Sequence, residues 1–280
     1  MRVCAITMVY NEFFSLPVWL RHYGRQVGAQ NLIVLDNGSD DGSTADLGAA
    51  GHILLPRGAA FNEAHRMKLI TELANNLLNY FDAVIYTDCD EMLVADPAYY
   101  ADLSDYCEQM TLPVAHAIGL NIRQNIKSEG SLDLSQPILR QRRCVQFVSP
   151  MCKPLIIRKP VSWGGGFHCC EHMPTYGHLY LFHLRHADLE FSLRRLAITR
   201  EITFARAGAA THQKQDFVEM VKRSFGNVHN LSIREDWDFS ELLAAAIANT
   251  KLSFTERYHI SPRVQSNYLF RVPERFSWVV

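Results

Sequence analysis

The first hundred residues alternate between short apolar runs and amphipathic stretches. Residues 2–9 form an apolar run that predicts a first strand. Ser15 is placed to cap a helix with Pro17 in its first turn, where Leu16, Trp19, Leu20, Tyr23 and Val27 recur at helical spacing. A second strand is expected over 31–35 (NLIVL), running into the polar stretch DNGSDDGS. A short helix and a third strand at 52–56 follow, then a longer helix whose Ile70, Leu73, Leu77 and Phe81 share a face, then a fourth strand, AVIYT. Strand and helix alternating through short connections predict an α/β chain: a mainly parallel sheet flanked by helices. In such sheets ligands bind outside the carboxyl ends of the strands.

Beyond residue 97 the pattern loosens. PAYYADLSDYCEQM reads as a helix and LPVAHAIGLNI as a strand, residues 124–137 as a mobile loop able to fold over a site, and 138–148, 153–158 and 179–185 as further strands. From 187 the reading is helical, through 187–207, 215–225 and 238–250. The expected organisation is a catalytic and ligand-binding domain over 1–190, with a helical C-terminal extension over 191–280 packed on it. The last thirty residues, rich in aromatic and basic side chains, read as a packing strap over the core, with a membrane-surface or acceptor contact as the alternative.

Polar residues gather where the predicted strands end: Tyr10-Asn11-Glu12, Asp36-Asn37, Pro56-Arg57 and Asp88-Cys89-Asp90-Glu91. Two aspartates one residue apart on a tight strand-end turn can hold a divalent ion, one directly and the other through water. Hard oxygen ligands of this kind suit Mn2+ or Mg2+, ions that also hold diphosphate oxygens. Twenty-eight basic residues against twenty-nine acidic ones leave a net charge of -1, which removes any bulk electrostatic case for nucleic acid or an anionic membrane. No stretch reaches the roughly 18 to 20 apolar residues of a membrane span. The N-terminus reads as a core strand and not as a secretory signal. Seven scattered cysteines without paired spacing fit reduced thiols, and with them a cytoplasmic protein, peripheral membrane contact staying open.

MVYNE after the first strand, LDNGSDDGS after the second and TDCDE after the fourth occur in an order and at distances that resemble the family-2-like glycosyltransferases of GT-A, Rossmann-like fold. The match covers roughly residues 3–97. The resemblance implies that Val9, Tyr10, Asn11 and Glu12 line the base and ribose of a nucleotide-sugar, with Asp36 and Asn37 beside them. It makes Asp88, Cys89 and Asp90 the metal and donor-binding DxD triplet, puts Glu91 beside the sugar, and sets Arg66 or Lys68 near the diphosphate. Lys153, ahead of an apolar strand, would reach the phosphate or the acceptor.

The second half supplies 162-SWGGGFHCCEHMPTYGHLYLFHLRHADLEF-191. Its glycines permit positive φ and close backbone approach, so Trp163, Gly165 and Gly166 are the candidate acceptor-binding residues. Five histidines with Cys169 and Cys170 suggest zinc at first sight. Adjacent cysteines without a CxxC argue against it. FHLRHADLEF partly matches a strand-end histidine segment of the same glycosyltransferases, which implies His183, then His186, as completing the metal shell. An inverting reaction needs a carboxylate base, for which Glu91 and Glu171 are the candidates. The function expected is sugar transfer from a UDP- or GDP-sugar to a glycan or lipid-linked acceptor in cell-surface polysaccharide or glycoconjugate synthesis. A sugar nucleotidyltransferase, or a glycan-binding protein of the same fold, is the alternative. A retaining reaction also stays open.

Overall fold

The computed structural model describes residues 1–205, 214–255 and 257–280. In chain order, β1 is Val3–Val9, α1 Ser15–Val27, β2 Leu32–Asp36, β3 Gly51–Leu54, α2 Glu63–Leu77, β4 Ala83–Tyr86, β5 Glu91–Ala95 and α3 Leu103–Gln109. There follow β6 Val114–Ile122, α4 Ile138–Gln141, β7 Cys144–Phe147, β8 Pro154–Ile157, β9 Tyr176–His183 and α5 Leu189–Glu201. The chain ends with α6 Phe217–Val221, β10 Ile233–Arg234, α7 Ser240–Ala248, β11 Lys251–Leu252, β12 His259–Ile260 and β13 Leu269–Arg271.

The α/β expectation holds. β3, β2, β1 and β4 lie side by side in that order, all parallel. β1 sits inside this group because VCAITMV is apolar on both faces. Val3, Ala5 and Val9 join the core built with Leu16, Trp19 and Tyr23 of α1, while Ile6 joins Ile70 and Ala74 of α2 on the other side. β8 then pairs antiparallel with β4, and β6 antiparallel with β8, which makes the sheet mixed.

β6 is long enough to hold three neighbours. Along one edge its first residues pair with β8 and its last with β7; β9 runs parallel along the other, followed by β5. Between β7 and β8 the chain makes one tight turn, Ser149–Met151, directly across Gly119 of β6. A β-carbon at Gly119 would lie 2.3 Å from the Met151 carbonyl carbon, so only glycine lets the turn pass.

Several elements differ from expectation. Residues 37–50 form turns and no helix, because the Asp36 carboxylate folds back to accept hydrogen bonds from the Ser39 amide and the Thr44 hydroxyl. Ser15 is the first helical residue and not the cap, since Phe14 precedes the helix without a side-chain cap bond. The strand expected over 138–148 begins as the helical turn α4, closed by the Arg142 amide on the Ile138 carbonyl. The loop 124–137 is tied down by the Gln124 carboxamide and the Asp188 carboxylate, and it lines no part of the cavity described below.

The C-terminal segment carries α5, α6 and α7, and two of its strands also extend the central sheet: β13 pairs antiparallel with β7, and β10 pairs parallel with β13. The helix expected over 187–207 runs from Leu189 to Glu201; positions 206 and 207 lie outside the described residues. The tail acts as a strap, with Phe276 and Val280 buried and Arg275 paired with the buried Asp96 carboxylate. None of the seven cysteines is in a disulfide. Among the described residues no helix is long and apolar enough to cross a membrane.

Candidate functional site

The carboxyl ends of β1, β2 and β4 open on a cavity of about 490 Å³, which the start of β8, the end of β9 and helix α5 close from the other side. Its floor is the β4–β5 turn, residues 87–91. Helix α1 pins that turn from below: Trp19 Nε1 donates to Thr87 Oγ1 at 2.9 Å, and the Tyr23 hydroxyl donates to the Glu91 carbonyl at 2.9 Å. The same hydroxyl accepts from the Leu93 amide at 2.9 Å. All three partners are buried, so the turn is held by bonds that water does not compete for.

Three carboxylates rise from the turn into different surroundings. Asp88 Oδ1 accepts from Arg66 Nη1 at 2.9 Å and the Tyr86 hydroxyl at 3.0 Å, while Oδ2 accepts from Lys153 Nζ at 3.0 Å. Burial would raise this carboxyl, but Lys153 and Arg66 hold it well below the usual carboxylate range. Glu91 is almost fully buried and accepts from the same Lys153 Nζ at 2.5 Å; burial pushes it up, because it shares that ammonium with Asp88. Lys153 itself, though burial alone would lower it, is raised by its two carboxylates.

Asp90 looks toward β9. Its Oδ2 lies 3.1 Å from His183 Nε2, and His183 Nδ1 lies 2.8 Å from Asn121 Oδ1 on β6. Burial works against the Asp90 charge, yet His183 brings the carboxyl down to about 2. Asp90, Glu91 and His183 can offer three ligand atoms within 4.8 Å of one another. The donor set suits a hard divalent cation. With the Asn121 oxygen accepting from Nδ1–H, a cation held by Nε2 and the Asp90 oxygen would take the place of the Nε2 proton that otherwise joins them.

Of the residues singled out from the sequence, Val9, Tyr10, Glu12, Asn37, Arg66, Asp88, Cys89, Asp90, Glu91, Lys153, Gly165, Gly166, His183 and His186 all line this cavity. Others do not. Asp36 is buried in its turn, and Asn11 donates through Nδ2 to Asp40 Oδ1 at 2.7 Å, tying that turn to β1. Trp163 is buried with Tyr86 and Phe167, its Nε1 donating to the Pro154 carbonyl at 2.9 Å. Glu171 accepts from the Ser162 amide at 3.0 Å, outside the cavity. Lys68 points to solvent from α2, near Glu72. The metal-capable group takes Glu91 in place of Asp88 and does not include His186, whose ring meets Phe225 edge-on.

Sequence reasoning missed Arg195 and Arg185, which line the cavity. Arg195 Nη1 donates to the Tyr10 carbonyl at 2.8 Å, and its Nη2 lies 2.7 Å from Glu12 Oε1. Burial pushes Glu12 up to about 7, with Arg195 pulling it back. Arg57 lies over the Tyr10 ring at 3.3 Å. The cover also falls elsewhere than expected. Phe204 and Phe61 face each other across the rim, joined by the Phe61 amide donating to the Thr203 carbonyl at 2.7 Å. No periodicity near Arg195 distinguishes it from other cations of an amphipathic helix.

No protein-family model and no curated protein matches this chain. Solved structures similar to it include a mannosyltransferase from Pyrobaculum calidifontis in complex with GDP-Man and Mn2+, at 17% identity over 44% of this chain and 35% of that one, with a TM-score of 0.28. S. aureus TarS aligns at 11% identity over 86% of this chain and 47% of its own, TM-score 0.34. Mannose-1-phosphate geranyltransferase from Thermus thermophilus aligns at 12% over 81% and 71%, TM-score 0.32. The chain thus spans about a third and about half of the first two structures. At these scores the likeness carries no argument about activity, and the site must be read from its own geometry.

Proposed function

We propose that this chain is a metal-dependent glycosyltransferase that moves a sugar, with inversion, from a nucleoside-diphosphate donor to a hydroxyl of a glycan or lipid-linked acceptor. The observation that carries the reading is the Asp90, Glu91 and His183 group set beside a clustered set of cations in one strand-end cavity. Five carboxylates line it (Glu12, Glu63, Asp88, Asp90, Glu91) and so do five cations (Arg57, Arg66, Lys153, Arg185, Arg195). With all ten groups ionised the formal charges balance, and a diphosphate entering then would be uncompensated. A divalent ion held by Asp90, Glu91 and His183 would neutralise the diphosphate as it leaves.

The chain's own groups do the rest. Lys153 and Arg66 fix Asp88 and Glu91 in place through ion pairs, that of Lys153 with Glu91 fully buried and those to Asp88 partly so, and the floor of the site is ordered before substrate enters. Asn121 orients the His183 ring. Arg195 clamps the end of β1, where the nucleoside would lie, to helix α5. Phe61 and Phe204 keep bulk water from the rim.

The test is a donor screen: release of nucleotide (UDP, GDP or, from the monophosphate control, CMP) from a panel of UDP-, GDP- and CMP-sugars with manganese and with chelator, on wild type and Asp90→Asn. Manganese-dependent release from one donor class, lost in the variant, is expected. Equal release with chelator would refute metal dependence.

A further inference from the structure

Inverting transfer, the reading this inference rests on, needs a group that takes the acceptor's hydroxyl proton. Glu171 lies outside the cavity, and the carboxylates inside it are committed. Asp88 and Glu91 share Lys153, Asp90 faces His183, Glu12 meets Arg195, and Glu63 accepts from both Arg66 Nε and Nη2.

His168 stands differently. Its Nδ1 lies 2.6 Å from the Pro150 carbonyl oxygen, which can only accept; the proton therefore sits on Nδ1 and the lone pair on Nε2. The residue is exposed and lines the cavity beside Gly165 and Gly166. Its ring rests against Gly166, where a β-carbon would come within 2.7 Å of Cδ2 and 2.8 Å of Nε2, and where φ is +63°. The third glycine of the run is thus what gives the imidazole its seat. Pro150 belongs to the turn that crosses Gly119 and leads on to Lys153, so one backbone turn orients both side chains.

We propose that His168 Nε2 is the general base of the transfer. The acceptor oxygen bonds to the anomeric carbon, and the bond from that carbon to the diphosphate oxygen breaks, its electron pair leaving with the nucleoside diphosphate. The hydroxyl proton passes to Nε2. The Pro150 carbonyl then steadies the imidazolium, as the carboxylate does in a serine-protease triad. Three charged or titratable groups bear on this ring: Lys153 just ahead of β8, Asp88 of the β4–β5 turn and His183 of β9. The wall strips part of its hydration, and that loss, then Lys153, holds the imidazole below the usual histidine range, with the Pro150 carbonyl and Asp88 pulling the other way. At neutral pH the lone pair is free.

The experiment compares wild type, His168→Gln and His168→Gly for manganese-dependent binding of GDP and UDP by calorimetry. It also follows turnover of the nucleotide-sugar panel onto water and onto small alcohols, with and without added imidazole. Nucleotide binding should persist in both variants while turnover falls about 10²–10⁴-fold, and imidazole should restore part of the rate in His168→Gly alone. Turnover unchanged in His168→Gln overturns the assignment, as does joint loss of binding and turnover without rescue. A wild type that binds nucleotide yet turns over nothing also overturns it, because a free base at the donor activates water too. A wild type that binds no nucleotide overturns glycosyl transfer itself, and the assignment with it.

Discussion

Replacing Lys153 by methionine keeps most of the side-chain length and deletes the ammonium. Lys153 and Glu91 each expose only 2% of their side chains. Without Nζ, Glu91 is a buried carboxylate that keeps one donor, the Asp88 amide at 3.2 Å, whereas Asp88 keeps Arg66 and Tyr86. Removing one partner of a buried pair costs about 3–5 kcal/mol. The cost should depend on pH with a definite sign. Glu91 is already raised in the wild type, so its burial costs nothing below the unfolded value of about 4.3 and costs more as pH climbs toward the folded one. Deleting Lys153 raises it further and widens that window upward. Asp88 moves the same way: held low in the wild type, it contributes stability above its unfolded value of about 3.9, and part of that is lost with Lys153. Urea midpoints of wild type and Lys153→Met at pH 5 and pH 8 read the difference. The variant's deficit should be largest at pH 8 and should shrink at pH 5 by up to about 1.4 kcal/mol per unit of further shift. A deficit below about 1 kcal/mol at pH 8, or one equal at both pH values, would refute the reasoning.

Other substitutions test other joints of the account. Tyr23→Phe leaves the buried Leu93 amide without its acceptor and should cost about 1–3 kcal/mol in the same denaturation assay. Gly119→Ala drives a methyl into the turn that carries Pro150 and Lys153, so its cost should reach about 1–3 kcal/mol or more, with nucleotide binding lost alongside. Glu171→Gln, outside the cavity, should leave turnover of the donor panel at the wild-type rate, read by nucleotide release. Arg195→Met frees Glu12, which burial then raises above about 7, so binding of nucleoside diphosphate by calorimetry should weaken most at alkaline pH, where Glu12 is charged without its partner.

The strand ends were legible because apolar runs locate strands and the rule for open α/β sheets locates ligands. Asp88 to Glu91, MVYNE apart from Asn11, and Asn37 lie where that rule puts them. Side-chain direction was harder to read. Asp36 ends β2 as expected, yet its carboxylate turns back to Ser39 and Thr44, because aspartate readily caps its own turn. Glu171 follows the glycine run as a base might, but the Ser162 amide nine residues earlier takes it. Lys153 and Asp88 are sixty-five positions apart, and only the antiparallel insertion of β8 beside β4 brings them together. Gly119 carries no mark in the sequence to separate it from any other strand glycine. The histidines of the second half were visible as a group, and which of them serve the cavity depends on backbone carbonyl and carboxamide partners at Pro150 and Asn121.

The claim on which the rest depends is that Asp90, Glu91 and His183 bind a divalent cation together with a nucleoside diphosphate. Electron paramagnetic resonance of Mn2+ measures this directly, since the free-ion signal falls as the ion binds. Adding wild-type protein with GDP or UDP should remove signal in proportion to protein, beyond what nucleotide alone removes, and Asp90→Asn should weaken that effect by tenfold or more, about 1.4 kcal/mol. Equal signal loss in wild type and Asp90→Asn, or none with either nucleotide, would contradict the account.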